Sequence, residues 1–268
     1  MANLVNAKRI VVKVGTSTIT YPNGKTNVRR MARLVSVLSD LQNSGREMIL
    51  VSSGAIGVGA GKLGLKERPH DIKGRQAAAA VGQTELMFMY DKFFSEYGHK
   101  VGQLLLTRGD VDDHVRRSHL VNTFMQLIDY GAIPIVNEND SVAVDEIEAV
   151  DSFGDNDSLS ATVAELVGAD ALIILSDIDG LFESDPHKNA EARLISYVKH
   201  ITDDIKELAG GTSSEHGTGG MITKLAAAEY ATRAGIHTVI MNGEDPKDIY
   251  RVIDGRHFGT FFEGHRES

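Results

Sequence analysis

The chain has 268 residues, of which 42% are hydrophobic and 24% charged, and a formal net charge of −9. That length and balance suit one large α/β domain or two closely packed lobes, and the acidic excess argues against duplex nucleic acid or an anionic membrane surface as a partner. With no cysteine, a disulfide framework, a thiolate nucleophile and a zinc–thiolate site are all excluded.

Taken in chain order, Ile10-Val11-Val12-Lys13-Val14 reads as a strand that breaks off into Gly15-Thr16-Ser17. Val28, Met31, Leu34, Val35, Leu38 and Leu41 then recur at helical spacing as far as Ser44-Gly45. The strand Met48-Ile49-Leu50-Val51 leads into Ser52-Ser53-Gly54-Ala55, followed by a long helical stretch over 73–97. Residues 101–106 form a strand and 115–128 a helix ending at Gly131. Ile133-Pro134-Ile135-Val136 is a strand that opens into Asn137-Glu138-Asn139-Asp140, and an acidic connection at 145–151 precedes a helix over 157–167. The strand Leu172-Ile173-Ile174-Leu175 ends in Ser176-Asp177, and a turn-rich segment runs to 186. Helices at 203–209 and 221–234, a strand at 237–241, a short helix at 246–253 and an edge strand at 259–262 complete the chain.

Strands that are apolar throughout rather than alternating are those of buried parallel sheets. Repeated βα units imply right-handed crossovers, so the expected fold is α/β: a three-layer αβα sandwich with a mostly parallel central sheet. Ligands of such sheets sit outside the carboxyl ends of the strands. Four strands that end in polar or glycine-rich runs therefore predict one shared cleft. No apolar run approaches the roughly 18 residues of a membrane span. The stretch 10–14, interrupted by Lys13, is too short for a secretion signal, so a cytoplasmic location is expected.

Gly217-Thr218-Gly219-Gly220-Met221-Ile222-Thr223-Lys224 is the clearest phosphate-binding candidate. Its glycines allow close backbone approach, and it opens onto a helix whose free N–H groups and dipole favour an anion. Lys224 lies about one turn into that helix and can lean back over the loop. The plain alternative is a solvated loop. Lys13 is a charge inside an apolar strand, costly unless paired or used, with possible donors at Gly15, Thr16 and Ser17; the alternative is an edge-strand lysine reaching water. In Gly154-Asp155-Asn156-Asp157-Ser158, helix capping accounts for one polar residue. Asp157 is expected to hold the two lysines between substrates, and the Asn156 amide to bind a charged small molecule. Asn137-Glu138-Asn139-Asp140 reads as an amino-acid-binding cluster in which Asp140 pairs with an ammonium group, against the alternative of a turn.

Other patterns are set aside. Gly59-Ala60-Gly61-Lys62-Leu63-Gly64 fits GxGxxG but starts several residues after its strand, and Leu63 stands where a Walker A motif needs Ser or Thr. Asp177-Ile178-Asp179-Gly180 lacks the rest of a calcium loop, and the ten histidines form no HExxH. Met87-Phe88-Met89-Tyr90 reads as core or subunit contact.

The stretches 11–17, 51–56, 80–83 (Ala80-Val81-Gly82-Gln83), 101–108, 134–140, 154–157 and 217–224 together resemble the amino-acid kinase family, and within it the branch that phosphorylates the side-chain carboxylate of free glutamate. The resemblance runs over nearly the whole chain. It implies ATP-dependent formation of glutamate 5-phosphate, the first step of proline synthesis, with proline as feedback inhibitor and a homo-oligomeric (dimeric or tetrameric) assembly. It places Ser53, Gly54, Asn137, Asp140 and Asn156 on glutamate, Lys13, Gly15, Ser176, Asp177 and Thr218 to Lys224 on the nucleotide, and makes Lys13, Lys224 and Asp157 catalytic. It implies a single kinase domain, with residues 1–165 binding glutamate and 166–268 binding ATP. A C-terminal RNA-binding-like (PUA) domain, common among relatives, is not expected, since the chain ends at Ser268. Magnesium is expected to arrive on the nucleotide phosphates rather than in a dedicated protein cage. Kinases of N-acetylglutamate or aspartate and a non-catalytic amino-acid or nucleotide sensor are the rival readings; Asp140 disfavours an acetylated amine, and retention of Lys13, Lys224 and Asp157 disfavours a sensor.

Overall fold

The computed structural model describes residues 3–21, 23–142, 153, 155–186, 189, 191–210 and 220–266. The acidic connection at 145–151, Gly154, and Gly217, Thr218 and Gly219 of the glycine-rich run lie outside them.

In chain order the elements are β1 (Arg9–Val14), α1 (Thr16–Ile19), α2 (Val28–Asn43), β2 (Glu47–Val51), α3 (Ala55–Lys62), α4 (Ile72–Ser95), β3 (Val101–Leu106), α5 (Arg108–Asp112), α6 (His114–Asp129), β4 (Ile133–Glu138) and α7 (Asn156–Leu166). They continue with β5 (Ala171–Ser176), β6 (Tyr197–Val198), α8 (Asp203–Gly210), α9 (Met221–Arg233), β7 (His237–Asn242), a 3-10 turn (Pro246–Asp248), α10 (Ile249–Ile253) and β8 (Thr260–Phe262). Among the described residues these strands form one eight-stranded sheet in the order β3-β4-β2-β1-β5-β7-β8-β6. All neighbours pair in parallel except β7 and β8.

The apolar strands are buried on both faces, as their composition predicts. On β1, Ile10, Val12 and Val14 enter a core shared with α2, α3, α4 and α10. Val11 enters the opposite core, with Leu159 and Val163 of α7 and Leu225 and Ala228 of α9. Each fully buried aliphatic side chain contributes about 1.5–3 kcal/mol relative to exposure. Because side chains alternate along a strand, Lys13 shares the face of Val11 and is directed towards α7 and α9.

Sequence patterns and structure part in several places, the short helix α5 ahead of α6 being one that the spacing did not predict. The strand at 260–262 is not an edge: it runs antiparallel to β7, and two-residue β6, too short to show a pattern, covers its outer side. The polar residues after β1 form the single turn α1 rather than an open loop. The glycine-rich run after β2 is helical, because its glycines permit a very close helix crossing. A Cβ on Gly59 would lie 1.7 Å from the Ala78 carbonyl oxygen, and one on Gly82 would lie 1.8 Å from that of Ala55. Within the GxGxxG pattern, Gly59 thus serves the packing of α3 against α4, while Gly61 lies against Gly24.

Candidate functional site

The carboxyl ends of β4, β2, β1 and β5 are adjacent in the sheet. From β1 the chain passes to β2, on to the edge strand β3 and back to β4 between them, then crosses to β5 on the other side of β1, so strand order reverses between β1 and β5. That is where open parallel sheets leave a crevice. Lys13 lies at this point, in register with Val51 of β2 and Ile174 of β5. The edge-strand alternative for Lys13 therefore fails: β1 is central and the side chain is 7% exposed.

Asp157 stands in the first turn of α7, 1% exposed, and joins both lysines. Its Oδ1 lies 2.6 Å from Lys13 Nζ and its Oδ2 3.2 Å from Lys224 Nζ. The Thr223 hydroxyl faces Asp157 Oδ2 at 3.1 Å and the Gly220 carbonyl at 2.9 Å. Burial alone pushes the Asp157 carboxyl up, but Lys13 and Lys224 together outweigh it and hold the group below the ordinary carboxylate range. Capping of α7 falls to another residue: Asp155 accepts the Ser158 N–H at 2.7 Å, and burial raises its carboxyl despite that bond. Between them, Asn156 has a buried Oδ1 with no hydrogen-bond partner among the described residues.

At the end of β2, the Ser53 hydroxyl donates to the Val14 carbonyl at 2.8 Å, linking two strand ends, and Thr16 Oγ1 lies 3.4 Å from it. Gly54 caps α3 at φ 87°, where a Cβ would meet Thr16 Cγ2 at 3.1 Å, so glycine is required. Gly15 caps α1, with Lys13 Nζ 3.8 Å from where its Cβ would be. At the end of β4, Asp140 lies within electrostatic reach of Arg68. Asn137 differs from its neighbours, because its amide bonds Gln83 and the Glu138 N–H and is 1% exposed. At the end of β5, the buried Ser176 hydroxyl donates to Asp177 Oδ1 at 3.1 Å. Alongside, Asn242 Nδ2 donates to Asp179 Oδ1 at 2.8 Å and the Gly243 N–H to the Ser176 carbonyl at 2.7 Å. Gly220, Met221, Ile222, Thr223 and Lys224 open α9, whose N-cap makes no side-chain hydrogen bond.

Sequence reasoning assigned no role to Gln83 or Asn242. Gln83 entered the resemblance only as the end of the Ala80-Val81-Gly82-Gln83 stretch, and Asn242 not at all, since a lone amide in a helix or at a strand end shows its role only when the fold supplies its partner.

A parallel sheet with this crevice, two buried lysines on one aspartate and a glycine-preceded helix defines a class of phosphoryl-transfer protein, and a comparison of families agrees. The model of the amino acid kinase family matches residues 8–242, and the chain belongs to that family. It is 52% identical to the glutamate 5-kinase of Clostridium perfringens, covering 97% of this chain and 96% of that protein. It is likewise 52% identical to the glutamate 5-kinase of Listeria monocytogenes, covering 99% and 96%. Among solved structures, UMP kinase from Bacillus anthracis superposes with a TM-score of 0.65 at 17% identity, covering 96% of each chain. Isopentenyl phosphate kinase from T. acidophilum gives 0.61 at 17%, covering 96% of this chain and 100% of the other. These last two speak for the fold alone.

Proposed function

We propose that the chain transfers the γ-phosphoryl group of ATP to the side-chain carboxylate of L-glutamate, forming glutamate 5-phosphate for proline synthesis. The observation that carries this reading is the Lys13–Asp157–Lys224 arrangement at the crevice, where two ammonium groups share one buried carboxylate.

A glutamate side chain has a pKa of roughly 4.3 and is ionised near neutrality, so the acceptor needs no general base. The barrier lies in bringing two anions together and in stabilising charge on the phosphoryl oxygens. An ammonium about 4 Å from such a charge contributes about 4 kcal/mol at an effective dielectric near 20, against about 1 in water. Lys13 and Lys224 supply that charge, and Asp157 sets their spacing and keeps both in place. Among the described residues no group of three His, Asp or Glu is placed to hold a metal ion. Magnesium enters, on this reading, as part of the nucleotide substrate, bound by phosphates and water.

Residues up to about 165 supply the acid side and later ones the nucleotide side, except that Lys13 and Gly15 at the end of β1 reach the nucleotide. Asp140 pairs with the substrate ammonium, the buried Asn156 Oδ1 accepts from it, and Ser53 and Gly54 face the acid at the mouth of α3. Ser176, Asp177, Gly15 and Gly220 to Lys224, with Thr218 and Gly219, receive the nucleotide. Proline shares the α-carboxylate and ammonium centre of glutamate, so it inhibits by overlap at Asp140 and Asn156. The protein works in the cytoplasm as a dimer or tetramer; among the described residues no helix is long and apolar enough to cross a membrane.

ADP release measured with glutamate, N-acetylglutamate and aspartate tests the assignment. Turnover with free glutamate at least a hundredfold above the other two is expected. A preference for the acetylated acid would overturn the role of Asp140.

A further inference from the structure

The Glu138 N–H lies 2.9 Å from Asn137 Oδ1. A backbone N–H can only donate, which identifies the oxygen of that amide and leaves Nδ2 as the donor facing Gln83 Oε1 at 2.8 Å. Both side chains are buried, 1% and 8% exposed, so loss of the acceptor leaves a donor that water does not readily satisfy. Gln83 follows Gly82, whose close approach to the Ala55 carbonyl sets the start of α3 directly after Ser53-Gly54. Two consecutive residues of α4 thus fix two strand ends, Gly82 that of β2 and Gln83 that of β4. Beyond Asn137, Glu138 Oε1 accepts the Phe153 N–H at 3.0 Å, tying the same strand end to the segment that leads into Asn156.

We propose that Gln83 is a positioning residue for the acid substrate and acts through Asn137, an inference that rests on the glutamate-kinase reading above. Its amide oxygen holds Asn137, and through Asn137 and Glu138 it orients Asp140 and the approach to Asn156. The competing account is a packing role, in which the amide pair supports the core and has no bearing on which substrate is bound.

The test is steady-state kinetics of the full chain with glutamate and MgATP. Gln83→Met keeps the volume and removes the acceptor; it should raise the KM for glutamate about tenfold while the KM for ATP and kcat stay within about threefold. Gln83→Glu restores an acceptor for Asn137 Nδ2 and should return the KM for glutamate to within about threefold of wild type. On an Asn137→Ala background the Met substitution should add less than twofold, because the residue it acts through is gone. A KM for glutamate unmoved by Gln83→Met, a parallel rise in both KM values, or independent effects in the double variant would each overturn the proposal. Wild-type protein without glutamate-dependent turnover would instead sink the underlying reading, a result visible before any variant is made.

Discussion

Lys13 and Asp157 lie 2.6 Å apart, both almost wholly excluded from water, one on the central strand and the other in the first turn of the helix packed across it. A buried pair of this kind is weak evidence for stability by itself, since desolvation offsets much of the attraction. Its value is in where it stands, at the strand-order reversal beside the start of α9.

Removal of the shared carboxylate should be costly when the crevice is empty. Asp157→Asn leaves two ammonium groups without their counter-charge and should destabilise the protein by about 3–5 kcal/mol at neutral pH. Saturating MgATP should recover part of that loss, because its phosphates replace the carboxylate. Thermal unfolding with and without nucleotide measures both effects, and a variant as stable as wild type without nucleotide would contradict the ion-paired arrangement.

The pH dependence follows from the depressed Asp157 carboxyl. A group held below its unfolded value stabilises fully above that value, roughly pH 4, and its contribution disappears as pH falls through the folded value. The stability difference between wild type and Asp157→Asn should therefore shrink below about pH 4. Denaturant unfolding between pH 3 and 7 reads it directly, and a constant difference across that range would show that the carboxylate's charge plays no part.

Two of the three glycines of α3, Gly57 and Gly59, should respond oppositely to alanine. A Cβ on Gly57 meets only Thr16 Cγ2, at 3.9 Å, so Gly57→Ala gains helix propensity and should stabilise by up to about 1 kcal/mol. A Cβ on Gly59 would stand 1.7 Å from a backbone oxygen of α4, so Gly59→Ala must part the helices and should cost about 3 kcal/mol or more. Equal melting temperatures for the two variants would mean that the crossing is looser than described.

Asp140→Ala should raise the KM for glutamate tenfold or more with little change in the KM for ATP, since its contact with the substrate ammonium is made equally in ground and transition states. Equal rises in both constants would point to a role in joining the two halves of the site.

Much of this was legible before the fold was known, for physical reasons particular to each residue. Lys13 announced itself as a charge within an apolar strand, though only the fold, which makes β1 central and packs α7 and α9 on the face of Val11, removed the edge-strand alternative. Asp157 was recoverable because one cap explains one polar residue and its run held several. Helix α3 was not, because Gly57, Gly59 and Gly61 weaken helix propensity and only the contact with α4 compensates. Gln83 was not, because its partner Asn137 is brought to it from a distant strand. Strand β6 was hidden by its two-residue length.

The lysines make the mechanistic case. Lys224→Ala should lower kcat about a hundredfold or more with the KM for glutamate within a few-fold, Lys13→Ala should behave alike, and their combined loss should fall short of additive if both act on one phosphoryl group. A kcat within a few-fold of wild type for either variant would remove that lysine from the reaction.

Trapping of the product tests the central claim most directly. With ATP, magnesium, free L-glutamate and hydroxylamine, an acyl phosphate on the side-chain carboxylate is captured as γ-glutamyl hydroxamate. The account predicts hydroxamate in step with ADP, dependent on both glutamate and ATP, and suppressed by proline in a manner that added glutamate reverses. ADP formed without hydroxamate in the presence of glutamate would contradict it.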